Sequence, residues 1–180
     1  MHESNDDLEA LQRVLDESYA GAGKHLLSIH TPNWRMSAED VVSKLTGMCV
    51  LNLATVNSRG EPIQGPVDGM FYRGRFFCGS ARNSLRAQHI KANPAVSVAH
   101  VRGEELAVIV HGTALEVDPE SETGLGFRKY IVEVYGGEMT EWEGSSVVYW
   151  EVAPRKMFAL APVVEGGESD ASSGTEGDSG

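Results

Sequence analysis

The sequence predicts a mainly β domain, an antiparallel closed or split barrel with a few short helices. Three observations lead there. Between residues 48 and 160, runs rich in Val, Ile, Phe and Tyr are separated by Asn57-Ser58-Arg59-Gly60, Arg73-Gly74 and Asn93-Pro94, which is the punctuation of hairpins. Few helical patterns interrupt these runs, so the chain lacks the regular crossovers of a doubly wound sheet. A length of 180 residues suits one domain with a sizeable core.

The elements follow in chain order. Leu8, Leu11, Val14 and Leu15 recur at helical spacing within Asp6 to Ala20, ahead of a Gly21-Ala22-Gly23 break, so a short amphipathic helix packs on the barrel or on a partner chain. Ser37 to Asp40 with Val41, Val42 and Leu45 reads as a capped helix that ends at Gly47. Met48 to Val56 is a strand. Ile63 to Tyr72 and Arg75 to Cys78 flank the next hairpin turn, and Ser84 to Lys91 is a helix stopped by Asn93-Pro94. Ala95 to Val101 and Leu106 to Val117 are strands. Thr123 to Tyr135 is a helix with Phe127, Tyr130, Ile131 and Val134 on one face. Ser146 to Val152 and then Lys156 to Leu160 close the sheet.

Composition divides the chain into an N-terminal helical extension (1–35), a barrel domain (36–162) and an acidic tail (163–180). The tail, EGGESDASSGTEGDSG, has five acids, no base and almost nothing apolar, so it is expected to be disordered. The net charge of -11 argues against broad attraction to nucleic acid or anionic membrane. No apolar run approaches the roughly 20 residues of a membrane span. The opening MHESNDDLEA lacks a secretory pattern, so a cytoplasmic location is expected. Cys49 and Cys78 lie in apolar stretches without CxxC or metal spacing, which reads as buried thiols, with no metal site expected.

The most informative local feature is a basic window. From Gly69 to Gly103 stand six bases, Arg73, Arg75, Arg82, Arg86, Lys91 and Arg102, and no acid, within an acidic chain. An anion is implied. Arg82 and Arg86 flank Asn83 and Ser84 at a helix start, where unpaired N–H groups and the helix dipole favour negative charge, and Ser80 adds a hydroxyl. Six bases without interleaved aromatics fall short of a nucleic-acid surface, so a small phosphorylated ligand fits better. GxGxxG, GxxxxGK[ST] and GxSxG are all lacking, which removes sequence support for Rossmann, P-loop and hydrolase chemistry.

Read in order, Cys49-Val-Leu-Asn-Leu-Ala-Thr-Val, Gly60-Glu-Pro, Pro66-Val67-Asp68, Ser80-Ala-Arg-Asn-Ser-Leu-Arg86 and Asn93-Pro94 with Val96-Ser-Val resemble the pyridoxamine 5′-phosphate oxidase-like FMN-binding family. The resemblance continues through Val110-His-Gly112-Thr-Ala114 and Val148 to Phe158, and so covers about residues 37 to 160. It implies a six-stranded split barrel acting as a homodimer, with FMN in a groove between subunits. The family's phosphate pattern falls on Ser80, Ser84 and Arg86, with Arg82 beside them. The strand beside the flavin ring corresponds to Gln64, Gly65, Pro66 and Val67. Trp150 would approach the cofactor from the partner subunit, or serve as a core or interface aromatic.

Two departures separate this chain from true pyridoxamine phosphate oxidases. Ser84-Leu85-Arg86 stands where those enzymes have Ser-Arg-Lys, and no Arg-x-His follows Arg155-Lys156-Met157. The resemblance therefore leaves three readings open: an FMN-dependent oxidoreductase using a nicotinamide donor and a small organic substrate; a deazaflavin-dependent reductase recruiting Arg73 and Arg75 for a longer acidic tail; and a non-enzymatic flavin or haem carrier. His89, His100 and His111 read more simply as packed or surface residues. A triad is not required where a cofactor carries the chemistry.

Overall fold

The computed structural model describes residues 2–136 and 146–162. Helix α1 (Asn5–Ala20) opens with a capping box in which Ser4 and Asp7 satisfy each other's backbone N–H groups, as a Ser-x-x-acid start should. Leu11 and Leu15 from α1 enter the same core as the barrel strands, so the helix packs on the barrel. A second helix, α2 (Lys24–Ile29), and a 3-10 turn (Pro32–Trp34) follow, neither anticipated from sequence. Ser37 and Asp40 form another capping box at the start of α3 (Ala38–Lys44).

Six strands, β1 (Met48–Val56), β2 (Pro62–Tyr72), β3 (Arg75–Ala81), β4 (Ala95–Arg102), β5 (Leu106–Glu116) and β6 (Val147–Leu160), close in the order β1-β2-β3-β6-β5-β4. Every pairing is antiparallel. The β1 side chains alternate outward and inward, so Cys49, Leu51 and Leu53 point into the barrel as a period of two requires. They meet Phe76, Cys78, Val98, Val108, Val110 and Val152 there. Arg73 and Gly74 both take positive φ, 50° and 76°, which is what the two-residue turn between right-twisted strands demands.

Sequence reading split the last strand at Pro154, whereas the structure carries it through as one. The reason is local. β3 pairs with β6 only as far as Val152, so Pro154 has no neighbour on that side. Towards β5 it faces Gly112 beside a bulge at His111 and Gly112, a position where proline's missing N–H is tolerated. A Cβ at Gly112 would stand 2.2 Å from the Ala153 carbonyl oxygen, so this close approach needs glycine.

Helix α4 (Leu85–Ala92) plugs one end of the barrel through Ala87 and Ile90. Helix α5 (Glu122–Tyr135), capped by Ser121 and ended by Gly136 at φ 69°, covers the outer face. Its Phe127, Tyr130 and Ile131 pack with Met70, Tyr72 and Phe77 in a separate core. The acidic tail lies outside the described residues. Among those described, no helix is long and apolar enough to cross a membrane.

Candidate functional site

The barrel is not uniformly sealed. β2 and β3 pair only from Gly69↔Cys78 to the hairpin end, although β2 pairs with β1 along its whole length, from Met48↔Met70 to Val56↔Pro62. Residues 62–68 thus present a sheet edge to an opening, and on its other side Gly79, Ser80 and Ala81 of β3 are paired with β6 alone. Such an edge carries backbone groups that seek partners. Arg86 reaches across from α4, and its Nη2 donates to the Pro66 carbonyl at 3.0 Å. Because backbone groups alternate sides along a strand, those of Gln64 and Asp68 face the same opening as the Pro66 carbonyl.

On the far bank, Ser84 is the N-cap of α4. Its Oγ accepts the Ala87 N–H at 3.1 Å and lies 3.0 Å from Ser80 Oγ. The Ser84 carbonyl takes the Gln88 N–H. Among the described residues that leaves the amides of Leu85 and Arg86 as the unused donors of the first turn, the groups that favour an anion at a helix start. Gly65 completes the cradle: a Cβ there would stand 3.4 Å from Arg86 Nη2.

The charges of the basic window separate on inspection of their partners. Arg73 pairs with Asp7 at 3.3 Å and Glu122 at 3.4 Å, Arg75 with Glu151 at 2.7 Å, and Arg82 with Glu116 at 3.0 Å. Arg102 donates to the Lys44 carbonyl. Arg86, half-buried, has no carboxylate partner among the described residues. Its guanidinium is also near the Cys78 thiol, whose pKa burial pushes up to about 12 while Arg86 pulls weakly the other way. Cys78 therefore stays a protonated core thiol. Cys49 is likewise buried, with its pKa raised by desolvation.

Of the residues singled out from sequence, Gln64, Gly65 and Pro66 stand on the β2 bank of the opening and Ser80, Ser84 and Arg86 on the other, while the Val67 side chain packs against the barrel core. Arg82 and Trp150 lie apart, at a cavity of about 310 Å³ between α4, β5 and β6, with Ala87, Ile90, Ala114 and Val148. Trp150 is core there, 4% exposed. The histidines have ordinary partners: His89 with Thr55 Oγ1, His100 with the Val50 carbonyl and His111 with Ser97 Oγ.

Sequence reading missed a second cavity of about 310 Å³ on the outer face of the same opening, bounded by Asp68, Ser80, Phe127, Ile131, Tyr135 and Tyr149. The stripe on α5 reads as ordinary core in sequence, and nothing local marks Gly79 as the place where the Tyr149 ring lies against β3.

No protein-family model matches the chain, and no curated protein does. Solved structures do. The conserved hypothetical protein Rv2991 from Mycobacterium tuberculosis superposes with a TM-score of 0.59 at 19% identity, over 78% of this chain and 98% of that one. A FAD-binding protein from Mesorhizobium loti gives 0.54 at 22%, over 69% and 93%. The heme storage protein HutZ from Vibrio cholerae gives 0.52 at 19%, over 62% and 85%. This chain has the split-barrel fold of these structures. In this split barrel the unpaired stretch of β2 beside the α4 start is the split, and the candidate phosphate residues stand at its edge.

Proposed function

We propose that this split barrel binds FMN, with Ser80, Ser84, Arg86 and the first-turn amides of α4 holding the phosphate. On this reading it acts as an oxidoreductase between a nicotinamide donor and a small organic substrate. The observation that carries the reading is Arg86, which among the described residues has no carboxylate partner, belongs to a helix first turn with two unused amides, and reaches the open edge of β2. When bound, FMN supplies the hydride chemistry. The protein's own part is to neutralise the phosphate, to offer the β2 edge from Gln64 to Val67 to the polar rim of the ring, and to exclude water from the ring's buried face.

A deazaflavin coenzyme is the second reading, favoured by the fold shared with an F420 reductase at a TM-score of 0.50, 24% identity, and coverage of 64% of this chain and 93% of that one. Against it, Arg73 and Arg75 are already committed to Asp7, Glu122 and Glu151 and are not spare bases for a longer acidic tail. The carrier reading has its precedent in the heme storage protein, and it predicts ligand binding without turnover.

The shared-groove homodimer belongs to the same proposal. Met48 and Val50 on β1 and Val101 on β4 point outward and are each nearly half exposed. Val50 and Val101 stand two residues beyond the Asn52↔Ala99 pair, so they form an apolar patch that a second copy would cover.

Titration of FMN and riboflavin into wild type and Arg86→Ala tests the phosphate assignment. Loss of a charge-assisted contact should weaken FMN by about 10-fold to 100-fold and leave riboflavin unchanged. Equal weakening of both ligands would make Arg86 a support of the fold. Binding of neither to wild type would remove FMN altogether.

A further inference from the structure

The outer cavity beside the split has chemistry opposite to that of the phosphate edge. Phe77 and Phe127 stack at 4.3 Å between ring centroids, and the Tyr149 ring meets Phe127 edge-on at 5.9 Å. Ile131 and Val147 complete an apolar wall. Tyr149 lies flat against β3 because residue 79 is glycine: a Cβ there would stand 2.7 Å from the ring. A wall built from aromatic rings favours an aromatic guest over an aliphatic one of the same size. The volume, about 310 Å³, is at the lower end of small-molecule sites, roughly 300–1,000 Å³.

Charge narrows the guest further. Asp68 is the one charged residue among the described lining residues, and it is exposed, with no ion-pair partner among them. It acts on Tyr135, whose hydroxyl is made harder to ionise by burial and then by the Asp68 carboxylate. No base is among the described lining residues, so the charge that lines the cavity is a carboxylate, which draws a cationic guest and opposes an anionic one, against the more distant Arg86 guanidinium that acts on the lining Cys78. Ser80 belongs to both the cavity lining and the phosphate edge, so a guest here would lie next to a cofactor held there.

We infer that this cavity is the binding site for the reacting partner of the cofactor and selects planar neutral or cationic aromatic molecules over anionic ones. The electron-transfer role rests on the flavin reading above; the binding selectivity does not. The test uses three probes of one shape and different charge, N-methylquinolinium, 2-naphthylmethanol and 2-naphthoate, titrated into the full chain without cofactor and followed by calorimetry. The cation and the neutral probe should bind more tightly than the anion, and Asp68→Asn should bring cation and anion together, shifting their ratio by about fivefold or more.

Gly79→Ala and Val147→Trp should each abolish binding of all three probes, the first by pushing the Tyr149 ring into the cavity and the second by filling it. FMN affinity, measured in parallel, separates the two claims. Probe selectivity that survives a failure to bind FMN leaves this site standing and removes the cofactor reading. FMN binding with no probe selectivity, or probe binding indifferent to Asp68→Asn and to both filling variants, overturns the inference. Asp68 is exposed, so its variant tests the charge rule even where a filling variant fails to fold.

Discussion

Arg86 Nη2 and the Pro66 carbonyl oxygen, 3.0 Å apart, join helix α4 to the stretch of β2 that β3 leaves unpaired. A neutral acceptor engages the guanidinium there without cancelling its charge, and the remaining donors stay available to an anion. Replacing Arg86 with Lys should therefore give an intermediate result. The charge remains, but a lysine cannot hold Pro66 and a phosphate in one planar fork. FMN affinity should fall less than in Arg86→Ala, and a titration that ranks Lys below Ala would contradict the geometry.

Ser84 has two roles that substitution can separate. As the N-cap of α4 it accepts the Ala87 N–H, and Ser84→Ala should cost about 1 kcal/mol of stability. Asp is as good a cap as Ser, so Ser84→Asp should keep the melting temperature. It should nevertheless weaken FMN binding more than Ser84→Ala, because a carboxylate would face the phosphate. An FMN affinity that simply tracked stability across the two variants would show that Ser84 serves only the helix.

Covering the outward patch of β1 and β4 is the expected role of a second copy. Val50→Glu or Val101→Glu places a charge on that face without touching the barrel interior, since both side chains are nearly half exposed. Light scattering should show a wild-type dimer and a monomeric variant at micromolar concentration, with FMN affinity reduced in the monomer. A monomeric wild type that binds FMN tightly would rule out a groove shared between subunits.

What was legible in the sequence depended on how local its cause was. β1 matches its expected range of Met48 to Val56, because a β-rich run between Gly47 and the Asn57-Ser58-Arg59-Gly60 turn is a local signal. Ser37 and Asp40 announce their capping box in the same way. The run from Arg75 was read as ending at Cys78, whereas β3 continues to Ala81, held by pairing with β6, some 70 residues away. The resemblance gave a split barrel, but the unpaired edge was not legible in the residues themselves, since nothing in residues 62–68 records which strand fails to arrive beside them. The basic window was visible as composition, but the acids that neutralise Arg73, Arg75 and Arg82 come from Asp7, Glu122, Glu151 and Glu116. Only folding shows that Arg86, Lys91 and Arg102 have no ion pair among the described residues, and that of these Arg86 stands at the start of α4 beside the open β2 edge.

Gly112 makes a sharper test of β6 than any hydrophobic position. Its absent Cβ is what allows the Ala153 carbonyl to approach at the bulge. Gly112→Ala should force the bulge open and cost about 1–3 kcal/mol, as overpacking does. Urea unfolding measures it, and a loss below about 0.5 kcal/mol would mean that the bulge relaxes freely.

His30 should make stability fall in mild acid. Its ring is buried against Tyr19 and Phe158, with centroids 6.1 and 6.0 Å away, and Nδ1 has no hydrogen-bond partner among the described residues. Arg35 donates to the His30 carbonyl and stands over the Tyr19 ring at 4.4 Å, so a second cation would be added beside one already present. Burial first, and the Arg35 charge second, hold the imidazole pKa below its ordinary value. The sign follows from which state takes up the proton. As pH falls through about 6.5 the unfolded chain protonates at this position and the folded chain does not, so stability is full above that pH and declines below it until the folded pKa is reached. His30→Phe keeps a ring between Tyr19 and Phe158 and cannot be protonated. The difference between the urea midpoints of wild type and variant should therefore widen in favour of the variant from pH 7.5 to pH 5, while contributions from carboxylates cancel. At pH 7.5 the variant should be at least as stable as wild type, because a buried nitrogen without a partner is replaced by carbon. Parallel midpoint curves for the two proteins would show that His30 is hydrated and titrates alike in both states.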